Sequence, residues 1–529
     1  MSAAVRSRAL ALRSRALALR AVFTRDRLLS ANAVLAYVTL AGFVGHMLVA
    51  GNYGYFRDEL YYIISGRHPA LGYVDFPPLT ALLAALVRVL AGDNLVALHV
   101  IPALANAALV LVTGLMAREL GGGRAARALA AVGSLTTLVF MANGSIFSMD
   151  ALDALWWALA AYVVMLVVRR HEPRLWLLFG LVAGVGLFTK LTILFFGLAL
   201  VVGVLLTPLR RDFRTPWPWL GGAIAGIFLA PYLLWNATNG WPTLQFFADG
   251  SHGNGALDFL INQLVITNPL TLPLWIGGLV FYFRRPAGKP YRALGWTWVF
   301  SYILLTLVNG KPYYFTPAYP MLFAGGAVVL AEAARKASRE WLRPAYAGAL
   351  VMSGLLLAPL AMPVLPPATY ARDYTFLSFI GNSGAGKGGQ TSVLPQYLAD
   401  RFGWMELTRA VARVYDVLPP DERAQACIFT ANYGEASALN FFGPAEHLPP
   451  AISGHNNYYL WGPGRCSGGV IIAVNVAASD LEKTYAHVTP AATFSCAYCW
   501  PDEDGISILV ATDPRVPLNG AWGTVKNFG

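Results

Sequence analysis

Long apolar stretches recur through the first two-thirds of the chain and stop near residue 365. Eleven of them approach the length needed to cross ~30 Å of hydrocarbon. They lie at roughly residues 30–51, 96–117, 126–143, 151–168, 174–189, 191–207, 217–236, 264–283, 294–309, 313–331 and 344–362. In lipid each segment must satisfy its own backbone polar groups, so such runs are expected to be helices. The expected fold is therefore a polytopic α-helical membrane protein of about 11 transmembrane helices. Composition agrees, with 56% of the 529 residues hydrophobic and only 13% charged. A single soluble domain, a disordered chain and a fibrous chain are excluded.

The segments between these runs alternate in charge. Residues 1–29, 118–127, 169–174, 208–216, 284–292 and 332–343 together hold 24 Lys/Arg and 6 acids. The intervening set holds only Arg57, Arg67, Arg88, Lys190 and Lys311. Against these stand Asp58, Glu59, Asp75, Asp93, Asp150, Asp153, Asp249 and Asp258. The positive-inside rule puts the amino terminus in the cytoplasm, and eleven spans put the carboxyl terminus outside. The net charge of +11 thus belongs to membrane orientation. Nucleic-acid binding would need a basic patch on a soluble domain, so no nucleic-acid partner is expected. The tail 1–29 carries a tandem heptad, Arg6–Leu12 and Arg13–Leu19. It reads as a duplication that sets topology, with a basic helix on membrane lipid as the alternative. The first apolar run is too long for a signal-peptide core and reads as an uncleaved anchor.

Beyond residue 366 the balance inverts to 10 basic and 14 acidic residues. Short β-like runs appear at Gly469–Asn475 and Ile506–Thr512, and a helical pattern covers 396–416. The expected organisation is a cytoplasmic basic tail, 1–29, and a transmembrane domain, 30–365, whose long first outer loop is 52–95. An extracytoplasmic α/β domain follows, 366–529. All four cysteines, Cys427, Cys466, Cys496 and Cys499, fall in this last part. That suits an oxidising compartment and one or two disulfides among three full pairings. For Cys496-Ala-Tyr-Cys499 a disulfide is favoured over a metal or redox site.

The acids of the outer set are candidates for chemistry. Asp58 and Glu59 are followed by Tyr62 at helical spacing. Asp75 precedes Pro77-Pro78, which opens an amphipathic segment. Asp150 and Asp153 lie one turn apart at a helix start, where Asp150 can alternatively serve the helix dipole. A charge at the deeper Asp153 is unfavourable and so draws suspicion. Each acid can be a general base, a metal ligand or a solvated loop charge. Lys190 and Lys311 are cations on a side otherwise depleted of them. An anionic ligand such as phosphate gives a reason, and snorkelling to lipid headgroups is the alternative. Tyr313 and Tyr314 flank Lys311 and can also be interfacial belt residues. Gly381–Lys387 opens like a phosphate loop, but Gly388 replaces the Ser/Thr that binds magnesium, so it reads as a loop. His46, His99 and His455 read as packing or backbone-bonding residues.

Taken together, Arg57-Asp58-Glu59 with Tyr62, Asp75-Phe-Pro-Pro78, Asp150, Gly186–Lys190 and Lys311-Pro-Tyr-Tyr314 resemble a known family. It is that of the polyprenyl-phosphate-sugar-dependent glycosyltransferases of the C-type membrane superfold. The pattern is similar to that of protein O-mannosyltransferases and lipid A aminoarabinose transferases. The resemblance spans about residues 30–330. It implies a donor in which a sugar is linked to polyprenyl phosphate, an acceptor that is a lipid, glycan or protein, and a bacterial plasma membrane. It makes Asp58 the base, with Glu59 and Asp150 as further catalytic candidates. Glu59 is the fallback base or a structural partner of Arg67 or His68. Substrate binding would fall to Arg57, Tyr62, Asp75, Lys190, Lys311, Tyr313 and Tyr314. Many members have His where this chain has Phe76. A divalent metal would have to rely on Asp75 and His252, so no cofactor is assigned. The rival reading is a transporter or flippase for a lipid-linked envelope precursor, which should show internal repeats. The two halves show none.

Overall fold

The computed structural model describes residues 30–249, 255–374 and 392–529. The basic tail, His252 and the Gly381–Lys387 segment lie outside the described residues. Every apolar run becomes helical. In chain order these helices are α1 (Ala31–Val49), α2 (Arg57–Arg67), α3 (Leu79–Ala91), α4 (Leu95–Glu119), α5 (Arg124–Leu135), α6 (Leu138–Asn143) and α7 (Met149–Arg170). They continue with α8 (Leu175–Thr189), α9 (Ile193–Leu205), α10 (Trp217–Thr238), α11 (Pro242–Asp249), α12 (Ala256–Ile266), α13 (Leu272–Arg284), α14 (Arg292–Leu307), α15 (Tyr319–Lys336) and α16 (Leu342–Ala361).

The expected eleven full-length spans are not confirmed. Among the described residues six helices are long and apolar enough to cross a membrane, or up to eight if each of two bent pairs is one span. Other runs are divided by breaks or bends. The expected run 126–143 splits into α5 and α6 where Thr136 and Thr137 turn their hydroxyls onto the carbonyls of Val132 and Gly133, at 2.9 and 2.8 Å. Thr113 and Thr297 make the same back-bond inside unbroken helices, so these hydroxyls mark the break without causing it. The pair α12 and α13 bends by 98° across Pro269.

Glycine sets the closest helix crossings. At Gly180 a Cβ would sit 2.1 Å from the Gly221 carbonyl oxygen, and at Gly326 it would sit 2.0 Å from that of Leu274. Backbone therefore meets backbone where α8 packs on α10 and α13 on α15. Without a hydrophobic drive between helices in lipid, such close approach supplies the association energy.

The C-terminal part contains α17 (Trp404–Asp416), α18 (Tyr433–Phe442) and five strands, β1 (Ala426–Thr430), β2 (Ala451–Ser453), β3 (Val470–Val474), β4 (Tyr485–Phe494) and β5 (Ile506–Pro514). The sheet order is β2-β1-β3-β5-β4. β1 pairs parallel with β2 and β3, while β5 pairs antiparallel with β3 and β4. β3 is buried at every position, as its all-apolar sequence requires. The expected helix 396–416 is interrupted at Gly403, whose φ of +85° is left-handed, leaving a short turn at Gln396–Ala399 before α17. Cys427 pairs with Cys466 and Cys496 with Cys499. α18 packs directly on α2, so the sheet region sits on the first long loop of the membrane part.

Candidate active site

α2 begins at Arg57, so its first turn displays Asp58 and Glu59 in different directions. Glu59 points inward and is fully buried. One oxygen accepts from the Phe147 backbone N–H at 2.6 Å and lies 2.8 Å from His99 Nε2. The other accepts from the Phe56 N–H at 2.8 Å, closing the start of the helix. The opposite ring nitrogen of His99 lies 2.6 Å from the Ala50 carbonyl. Burial alone would raise the Glu59 carboxyl, but His99, Arg401 and the Phe147 N–H outweigh it and hold it below its usual range. Glu59 therefore clasps α2 to α4 and to the loop before α7. Its partner is His99, not Arg67 or His68 as the sequence suggested. Arg67 instead meets Asp93 at 3.1 Å, and His68 stacks on Trp461.

Asp58 faces the other way and keeps 30% of its side chain exposed. Its Oδ1 accepts from the Tyr433 hydroxyl at 2.8 Å and from Arg57 Nε at 3.4 Å. Tyr433 comes from α18, so the C-terminal region supplies a donor to the leading base candidate. Arg57 is anchored behind it, with Nη2 3.5 Å from Asp400 and its own N–H on the Asp400 carbonyl at 3.0 Å. Its guanidinium also lies over the Tyr433 ring. Arg57 thus positions Asp58 and is occupied in doing so.

Asp75 accepts from the Tyr61 hydroxyl at 3.1 Å. Asn457 donates to that same hydroxyl and accepts from the Val74 N–H at 3.0 Å. Burial pushes the Asp75 carboxyl up to about 7, and the nearby charge of Asp58 adds to the rise. Phe76 is buried against Tyr61, Tyr62 and Tyr73. Burial first, and then the negative charges of Asp58, Asp75 and Asp150, hold the Tyr62 phenol well above its usual range. Three acids from separate segments therefore act electrostatically on Tyr62.

Asp150 lies in the first turn of α7, but the N-cap residue is Ser148. The carboxylate of Asp150 instead accepts from Lys190 Nζ. Lys190 is buried at the end of α8 and lies 4.3 Å from the Tyr314 ring centroid and 5.4 Å from that of Tyr313. Lys311 is exposed and has no carboxylate partner among the described residues. Asp153 accepts from the Thr192 hydroxyl at 2.7 Å within the bundle. Asp58, Tyr62, Asp75, Asp150, Lys190, Tyr313 and Tyr314 thus share one end of the helices. Among the described residues no three His, Cys, Asp or Glu side chains gather as a metal site.

The comparisons with known proteins follow this geometry. The family model of dolichyl-phosphate-mannose-protein mannosyltransferases matches residues 75–235. No curated protein sequence matches the chain. The apo crystal structure of ArnT from Cupriavidus metallidurans superposes with a TM-score of 0.55 at 17% identity, covering 90% of this chain and 97% of that one. The same enzyme bound to undecaprenyl phosphate gives 0.54 at 16% identity, covering 92% and 98%. The chain has the C-type membrane glycosyltransferase fold. It is a multi-pass membrane protein, and its likeness to ArnT runs through the sheet region as well as the helices. Within this C-type chain the matched family segment takes in Asp75, Asp150 and Lys190, while Asp58 and Lys311 lie outside it.

Sequence reasoning had not singled out Tyr433, Asn457, Asp400 or Arg401. The runs Asn432–Ala436 and Ser453–Tyr458 did carry a signal, being dense in Asn, Tyr and Gly. Nothing local in either run shows that it reaches Asp58 and Tyr61.

Proposed function

We propose that this protein is a membrane glycosyltransferase. It moves a sugar from a polyprenyl-phosphate-linked donor to a hydroxyl acceptor on a lipid, glycan or protein, at the extracytoplasmic face of a bacterial plasma membrane. The observation that carries this reading is the partly exposed Asp58 carboxylate, held by Tyr433 and Arg57 at the end of the bundle that also holds Lys190. The loop-charge asymmetry supports placing this end outside, with residues 1–29 cytoplasmic and 366–529 extracytoplasmic.

Asp58 takes the proton of the acceptor hydroxyl as its oxygen attacks the anomeric carbon. The bond from that carbon to the phosphate oxygen breaks, and its electron pair leaves with polyprenyl phosphate. One direct displacement inverts the anomeric centre. Lys190 and Lys311 bind the phosphate, where cationic groups stabilise the developing charge. A phosphate reaching Lys190 takes the place of Asp150 as its counter-ion, and Tyr313 and Tyr314 wall that position. Glu59 keeps α2 oriented and takes no part in proton transfer. Tyr62 lines the space among the three acids, and Asp75 fixes Tyr61 beside Tyr433.

The test supplies purified full-length protein with polyprenyl-phosphate hexoses and pentoses and cell-envelope acceptors, then reads products by mass spectrometry. One added sugar mass together with released polyprenyl phosphate is expected. Movement of the lipid across proteoliposomes without transfer would favour a flippase instead.

A further inference from the structure

The opposite end of the bundle carries a second built feature. α7 has 22 residues, so at 1.5 Å per residue roughly 30 Å separates Asp150 from Arg169 and Arg170. There a crevice of about 580 Å³ opens between the end of α4, the start of α5 and the end of α7. Its charged lining is Arg118, Arg127, Arg169 and Arg170 with the single acid Glu119. Four guanidiniums against one carboxylate leave an excess of positive charge.

Arg118, Arg127 and Arg169 are oriented by hydrogen bonds. The Glu119 side chain is nearly buried and accepts from Arg118 Nε at 2.9 Å and from Arg169 Nη1 at 2.6 Å. Arg118 also donates to the Tyr162 hydroxyl at 3.2 Å. Arg127 donates to the Gly122 carbonyl and to Asn32, both at 3.2 Å. Membrane orientation needs only loop charges at any position. It does not need guanidiniums clamped by a buried acid around a concave space. Planar guanidinium forks match phosphate oxygens, and basic pockets between spanning helices on the cytoplasmic side take lipid headgroups.

We propose that this crevice is a binding site for a phosphate group, supplied by an anionic lipid headgroup or by free phosphate. It is separate from the candidate active site and rests on no reading of the transfer chemistry. The full chain in a phosphate-free, sugar-headgroup detergent is melted with phosphatidylglycerol, phosphatidylcholine or inorganic phosphate added. A stabilising shift on the order of 1–3 °C with phosphatidylglycerol, and none with phosphatidylcholine, identifies the lipid. The same shift with inorganic phosphate alone identifies the free ion. Arg127→Gln and the exposed Arg170→Gln should each reduce the shift, while Lys336→Gln, a basic position on the same side outside the crevice, should leave it intact. Arg170→Gln removes no hydrogen bond or ion pair among the described residues, so its folded state can be melted directly. No shift with either additive, or equal shifts in wild type and both arginine variants, overturns the proposal.

Discussion

At the scale of single residues, two adjacent carboxylates have opposite fates. Asp58→Asn keeps shape and loses the proposed base, so transfer should fall ~10²–10⁴-fold in protein that folds normally. Glu59→Ala strips a buried carboxylate from His99 and two backbone donors. Leaving buried polar groups without their partner costs ~1–3 kcal/mol each, so this variant should show lower yield and melting temperature. Activity and thermal unfolding measured on both variants separate the roles, and a stable but inactive Glu59→Ala would reverse them. Tyr433→Phe keeps the ring against Tyr61 and removes only the hydrogen bond to Asp58. Hydrogen bonds to charged groups contribute ~1.5–3 kcal/mol to stability, so the melting temperature should fall and turnover should drop as Asp58 loses its positioning. Asp75 gives a pH signature. Its folded-state carboxyl sits at about 7, above the unfolded value of ~3.9. The folded state therefore binds this proton more tightly. Its contribution is full below about pH 4 and is lost as pH rises through about 7. Asp75→Asn removes that titration, so the variant should gain on wild type in melting temperature between acidic and mildly alkaline buffer.

At the scale of elements, hydropathy gave the eleven apolar runs, but not the helix Arg57–Arg67 or the places where the runs break. α5 ends at Leu135, just before Thr136 and Thr137, and Gly403 starts α17 with a left-handed turn. Neither break interrupts the hydrophobic pattern enough to be read from it. The crossings of α8 with α10 and of α13 with α15 depend on glycine at the point of contact. At Gly326 a Cβ would meet backbone, which cannot yield as a flexible side chain can. Gly326→Val should therefore destabilise by more than the ~1–3 kcal/mol typical of overpacking. Size-exclusion profiles in detergent should show loss of the monodisperse peak, while substitution of Gly348, which has open space, should not.

At the scale of the whole molecule, the sheet region is fastened to the membrane part through buried charges. Arg401 donates to the Ser145 carbonyl at 2.8 Å and to its hydroxyl at 3.1 Å, and Asp400 faces Arg57. The C-terminal region therefore completes the candidate site as well as covering it. Sidedness is open to a direct test, since all four cysteines are disulfide-bonded and a single introduced thiol reports alone. Thr524→Cys should react with an impermeant reagent in intact cells, and Gly123→Cys should not. The reverse labelling would invert the orientation and with it the placement of the reaction.

The sequence by itself determined the membrane class, the alternating loop charges and the segments that carry Asp58, Asp75, Asp150 and Lys190. Hydrophobicity and charge are local properties, and the bilayer reads them locally. It also marked the strands around Val470–Val474 and Ile506–Thr512. Only the tertiary structure decided that Glu59 is a clasp on His99, that Lys190 pairs with Asp150, and that Tyr433 reaches Asp58 across 375 residues of sequence. Those outcomes depend on which faces meet when α2 packs on α18 and α7 on α8. Such contacts lie far apart in the chain, so no local pattern encodes them.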